Sequence, residues 1–131
     1  MTSSASYAET IDRYVRFWNA EKPDEQQELA SETFTDDIRY HAVIGVFTGR
    51  QALIGFHDQF TQHMPTAVFH RRGEPQIHHD RARLSWEIEV DGGQPFAAGT
   101  DVLVFEPDGR ISSVTAFLDR APEGFDAHAH N

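Results

Sequence analysis

The chain has 131 residues, enough for one domain with a sizeable core and no need of a disulfide or metal staple. It has no cysteine, which removes disulfides, thiol catalysis and cysteine-ligated zinc or iron–sulfur centres and fits a cytoplasmic protein. Lys and Arg total 11 against 21 Asp and Glu, and the net charge of −10 repels phosphate, so nucleic acid is set aside as the main partner.

No apolar run approaches the ~20 residues of a membrane span. The N-terminus, "MTSSASYAET", lacks the basic-then-apolar order of a secretory signal. The first few residues and the tail "DAHAHN" read as frayed ends, so a single domain over 1–131 is expected to have its core at about 7–120.

From Tyr7 to Ala20 the pattern is helical, with Ile11, Tyr14, Val15 and Trp18 on one face. "EKPDE" breaks this helix at Pro23. Asp24 is placed to cap a second helix over roughly Glu25 to Thr33. In "FTDDIRYHAVIGVFTG" the period changes to two: Ile38, Tyr40 and Ala42 point one way, and Arg39, His41 and Val43 the other. "RQALIGFHDQFTQHM" carries Leu53, Phe56, Phe60 and Met64 at helical spacing and ends at Pro65. Strands follow in "AVFHRRG", "PQIHHD", "ARLSWEIEV", "PFAAGTDVLVFE" and "RISSVTAFLD", with hairpin signals at "DGGQ" and "PDG". Three helices followed largely by a meander give an α+β class. The expected architecture is a cone: a curved antiparallel sheet wrapped around helices, with an internal apolar cavity.

Asp101 stands out in this layout. Alternation places it with Leu103 and Phe105 on one strand face and Val102 and Val104 on the other, so both faces are apolar. An isolated ionised carboxylate there costs several kcal/mol, so it must be paired, hydrogen-bonded or protonated. A neutral acid would serve as a hydrogen-bond donor near pH 7. A carboxylate that only braces the sheet is the competing reading.

"GTDVLVFEPDGRISSVTAFLD" resembles the C-terminal hairpin of the nuclear transport factor two-like superfamily, in particular its SnoaL-like and ketosteroid isomerase-like branches. "DRYVRFWNAEKPDEQQELASETFTDDIRYHAVIG" and "FTGRQALIGF" resemble the start and third helix of the same fold, so the likeness covers roughly Tyr7 to Arg120. The superfamily hosts isomerases, cyclases, hydrolases and non-catalytic binders, so fold is better specified than function. In the ketosteroid isomerases a helix tyrosine and a protonated strand aspartate form an oxyanion hole, and a second aspartate is the base. The resemblance matches Tyr14 to the tyrosine and Asp101 to the neutral aspartate. The base position falls near Ala42, which moves no proton. SnoaL-like cyclases are thought to use one inner-strand aspartate, and Asp101 matches that role as well. The Asp–Arg–Asp set of the epoxide hydrolase branch is not found.

The candidate catalytic residues are therefore Asp101, Tyr14 and His41. His41 reaches the cavity only if its strand is bulged or shifted, although an imidazole suits proton transfer near neutral pH. The expected ligand-binding residues are Trp18, Tyr40, Phe56, Phe60, Trp86, Leu103, Val114 and Leu118. Glu87 becomes a cavity acid only if the faces of its strand are reversed, and Asp119 is expected at the sheet rim. The eight histidines show no chelating spacing: His78 and His79 are adjacent, His57 and His63 lie six apart, and His128 and His130 fall in the tail. No metal and no cofactor is expected.

The leading expectation is a cofactor-independent isomerase or cyclase acting on an apolar or aromatic small molecule. The alternatives are a non-catalytic binder of an apolar metabolite and a dimeric protein-interaction module. The apolar outer face with Val102 and Val104 calls for a cover, and a homodimer supplies one.

Overall fold

The buried stripe of the first helix is set by Tyr7, Thr10, Ile11, Tyr14 and Phe17, in the order that a 3.6-residue turn requires. The structure is a computed structural model that describes residues 4–122. Helix α1 spans Ser4–Asn19. Its stripe is centred on Tyr14 and includes Phe17, fully buried, while Val15 and Trp18 sit at its margin.

Helix α2, Pro23–Thr33, starts two residues before the expected Glu25. Proline suits the first helical turn because its missing N–H has no intrahelical partner there. Lys22 is the N-cap and makes no side-chain cap bond. Asp24 lies inside the first turn, where its charge meets the helix dipole rather than capping the helix. Helix α3, Arg50–His63, begins after Gly49, whose φ of 92° favours glycine, and closes on Met64 just before Pro65.

Seven strands form one sheet: β1 Phe34–Ala42, β2 Gly45–Thr48, β3 Val68–Arg71, β4 Gln76–His78, β5 Arg81–Val90, β6 Gln94–Phe105 and β7 Ile111–Arg120. Their order is β2-β1-β7-β6-β5-β3, with β4 also on β5. The pairs are antiparallel except β1–β7, which run parallel. The meander reading missed this pair. The chain leaves β1 through α3 and the later strands, and so returns beside β1 in the same direction. Register shifts at Ile88/Glu89, Ala98/Gly99 and Val104/Phe105 each mark a bulge or irregularity, the kind of feature that bends a sheet.

Between the helices and the concave face lies a core containing Ile11, Phe17, Phe34, Ile38, Leu53, Leu84, Phe105 and Ile111. Leu103 and Val114 also belong here: they face each other across β6–β7 and are fully buried. Among the described residues no helix is long and apolar enough to cross a membrane.

Candidate functional site

Asp101 points inward from the middle of β6, with Leu84 beside it on β5 and Ala116 on β7. It is 1% exposed. Both carboxyl oxygens are occupied: the Tyr14 hydroxyl donates to Oδ2 at 2.6 Å, and the Trp86 indole N–H donates to Oδ1 at 2.8 Å. Burial pushes the Asp101 carboxyl up to about 7, and the bonds from Tyr14 and Trp86 only partly oppose that rise. Burial and then the Asp101 charge hold the Tyr14 phenol well above its ordinary value. Tyr40 is raised by the same two causes, partly offset by the Tyr14 hydroxyl.

The carboxyl lies behind the wall of a pocket of about 360 Å³ that is partly open to solvent. Trp18, Tyr40, Phe56, Phe60, Trp86 and Leu118 line this space. Trp86 both faces the cavity and binds Asp101; Tyr14 stands edge-on to Trp18 with ring centroids 6.1 Å apart. Tyr40 is the one titratable side chain in the wall among the described residues. Ala42, at the position where the resemblance puts a base, lines the cavity too.

Three expected site residues lie elsewhere. Leu103 and Val114 face inward but are sealed in the core beneath the helices, so they do not reach the cavity. His41 is on the opposite face of β1. Pairing with both neighbouring strands is regular from Arg39 to His41, and the irregularity of β1 falls earlier, between Phe34 and Arg39. With no bulge at Tyr40–Ala42, alternation keeps His41 out of the cavity, and its Nδ1 lies 3.0 Å from the Val114 carbonyl oxygen.

Glu87 also faces outward, where Arg120 donates to it at 3.0 Å, and Asp119 accepts from Thr100 at the rim. His57 is buried, with Nε2 at 3.1 Å from the Trp18 carbonyl oxygen, so α3 holds the end of α1 that carries Trp18. Among the described residues, no three His, Asp or Glu side chains converge as metal ligands would. His128 and His130 lie outside the described residues.

The cavity also contains residues that the pattern reading passed over: Phe69, Ile88, Phe96 and Met64, with Val43 and Ile44 at the β1–β2 turn. Phe69 stacks on Trp86 at 5.5 Å and 28°. Its register partner is Ile88, so alternation along "VFHR" is the signal that would have found it. Phe96 and Ala97 both reach the wall because the register slips beside them, which a strict period of two does not anticipate.

A sequence profile of the SnoaL-like domain matches residues 11–114. No curated protein sequence matches the chain. Among solved structures, the chain resembles a protein from Agrobacterium tumefaciens provisionally named an isomerase of the SnoaL-like family. Identity is 27%, the TM-score is 0.82, and the match covers 88% of this chain and 98% of that one. It also resembles a provisionally named polyketide cyclase from Sinorhizobium meliloti, at 18% identity and a TM-score of 0.68 over 83% and 94% of the two chains. A provisionally named SnoaL-like polyketide cyclase from Jannaschia matches at 16% identity and a TM-score of 0.70 over 88% and 86%. These last two likenesses establish the fold. With the profile spanning most of its length, the chain belongs to the SnoaL-like family.

Proposed function

We propose that the chain is a small-molecule enzyme of the isomerase or cyclase type, working by acid–base chemistry on an apolar or aromatic ligand without a metal or organic cofactor. The observation that carries this reading is the Asp101 carboxyl, raised by burial to titrate near neutral pH behind an aromatic wall, with Tyr14 and Trp86 donating to it and only partly opposing that rise. A carboxyl in that state exchanges a proton at physiological pH. The wall carries no formal charge among its described residues, which favours a neutral ligand. The reaction class is enolisation or aldol-type closure of a neutral ketone. Asp101 is the proton donor and acceptor, Tyr14 its hydrogen-bond partner, and Tyr40 a phenol in the wall beside the ligand. The family and the isomerase and cyclase names of its structural neighbours support this class.

The test is hydrogen–deuterium exchange at the α-carbon of a panel of enolisable cyclic ketones, followed by NMR. The protein should accelerate exchange for at least one of them, and Asp101→Asn should lower that rate roughly 100-fold or more. Equal rates with and without the carboxyl would end the acid–base reading.

A second reading is favoured by a separate observation. Asp101 is not itself in the wall, and the wall holds Ala42 where a base would stand. A binder of an apolar metabolite needs only the cavity. It would take up ligand with no exchange above buffer. In either case the second protein partner proposed is another copy of this chain, seated on the outer face of the sheet, where Phe117 and Val46 are exposed.

A further inference from the structure

The two donors on Asp101 are not equivalent. An indole nitrogen carries one hydrogen and accepts nothing, whereas a phenol both donates and accepts. Trp86 Nε1 lies 2.8 Å from Oδ1, and Tyr14 lies 2.6 Å from Oδ2. When the carboxyl takes up a proton it must choose an oxygen. A proton on Oδ1 finds no acceptor in the indole, and aimed at it would meet the indole hydrogen, donor against donor. A proton on Oδ2 would face the Tyr14 oxygen, which can accept.

The indole is also held in place. It stacks on Phe69, and a β-carbon at residue 99 would lie 2.3 Å from Cζ2 and 2.7 Å from Cε2. The ring therefore rests on the bare backbone of Gly99. The titratable groups facing Asp101 are Tyr14 from α1 and Tyr40 from β1; β5 and β7 place the uncharged Leu84 and Ala116 beside it.

We propose that Trp86 is a positioning residue that fixes the proton of Asp101 on Oδ2, so that protonation reverses the Asp101–Tyr14 hydrogen bond and frees the Tyr14 hydroxyl to donate elsewhere. With Asp101 ionised, Tyr14 donates to it. With Asp101 protonated, Asp101 donates to Tyr14, and the Tyr14 hydrogen turns away. Tyr40, in the cavity wall, is the neighbour whose oxygen senses that hydroxyl. One proton then changes what the wall offers a ligand. The reversal belongs to the ligand-free protein, whether the pocket catalyses or only binds.

The experiment is an NMR titration of the ligand-free chain, with labels on the Asp101 carboxyl carbon, the Tyr14 Cζ and the Trp86 indole N–H. In the wild type the indole proton should keep its hydrogen-bonded shift on both sides of the Asp101 midpoint, while Tyr14 Cζ moves with that midpoint. Loss of the bonded indole shift on the acid side would place the proton on Oδ1 and overturn the proposal. In Trp86→Phe, which keeps an aromatic ring and removes the donor, the ionised fraction of Asp101 at pH 7 should fall roughly fivefold. The Tyr14 step should shrink as the proton is shared between both oxygens. An unchanged midpoint and an unchanged Tyr14 step would overturn the proposal as well. If that variant does not fold, the wild-type indole signal decides alone. No substrate enters these measurements, so a failed exchange assay and a failed titration are distinct results.

Discussion

Trp86 lies so close over Gly99 that a β-carbon there would fall 2.3 Å from its Cζ2 atom and 2.3 Å from the Phe117 carbonyl oxygen. The second contact is with backbone, so no side-chain rotation relieves it. Gly99→Ala must both push β6 away from the Phe117 carbonyl on β7 and displace the indole that bonds Asp101. We expect a loss of about 2–3 kcal/mol in urea unfolding, with a changed near-ultraviolet tryptophan signal. Wild-type stability together with a wild-type spectrum would show that the close packing of Trp86 is dispensable.

Stability should depend on pH through Asp101. Its folded carboxyl sits at about 7 against an ordinary 3.8, so the folded chain holds a proton that the unfolded chain has released. The contribution is therefore fully present below about pH 4 and is lost as pH rises to about 7, amounting to about 4 kcal/mol across that window. Asp101→Asn does not titrate. Its stability relative to wild type should improve from pH 4 to pH 8 when both are unfolded in urea. Parallel curves for the two proteins would mean that the folded carboxyl titrates where an unfolded one does.

Tyr14→Phe removes one donor from the buried carboxyl and leaves the ring packing in place. A bond to an ionised group is worth more than one to a neutral group. The expected loss is about 1 kcal/mol at pH 5, where Asp101 is mainly protonated, and about 2 kcal/mol at pH 8. The Asp101 midpoint should rise, because the Tyr14 bond lowers it. Equal losses at both pH values would show that Tyr14 does not distinguish the two states of the carboxyl.

Asp101 was legible from sequence because a charged residue between apolar neighbours violates burial rules wherever the strand faces. Its pairing with Tyr14 was legible only through the family resemblance, since the two lie 87 positions apart and no local pattern joins them. Trp86 was readable as wall or core by alternation with Leu84 and Ile88. Its bond to Asp101 was not, because that depends on the register of β5 against β6 and on the missing side chain at Gly99. Leu103 and Val114 show the limit of a two-residue period. The period tells which face a residue takes, not whether cavity or solid core lies above it. His41 was correctly placed opposite Ala42 by the same period, and the regular pairing of β1 leaves it there.

The cavity should accept a neutral dye. Ala116 lines it and is the register partner of Asp101 on β7, so a larger side chain there would fill the space beside the carboxyl. Nile red fluorescence should rise on mixing with the wild type. Ala116→Phe should weaken that binding tenfold or more while thermal unfolding stays cooperative. Undiminished binding by a folded Ala116→Phe would place the dye outside this cavity.

The outer face of the sheet leads to a last expectation. Val46, His41, Thr115 and Val102 stand in register across β2, β1, β7 and β6, on the face turned away from the cavity. Phe117 is 53% exposed beside Thr100 on the same side. An aromatic ring and valines in one exposed band make a surface that water disfavours, and a twofold pairing of identical faces buries both copies at once. Sedimentation velocity at tens of micromolar should therefore show a dimer. Phe117→Glu puts a charge on the paired face of each copy and replaces an exposed ring, so it should give a monomer whose cavity still binds Nile red. A wild-type monomer at that concentration would rule out the self-pairing, and the apolar band would then need another account.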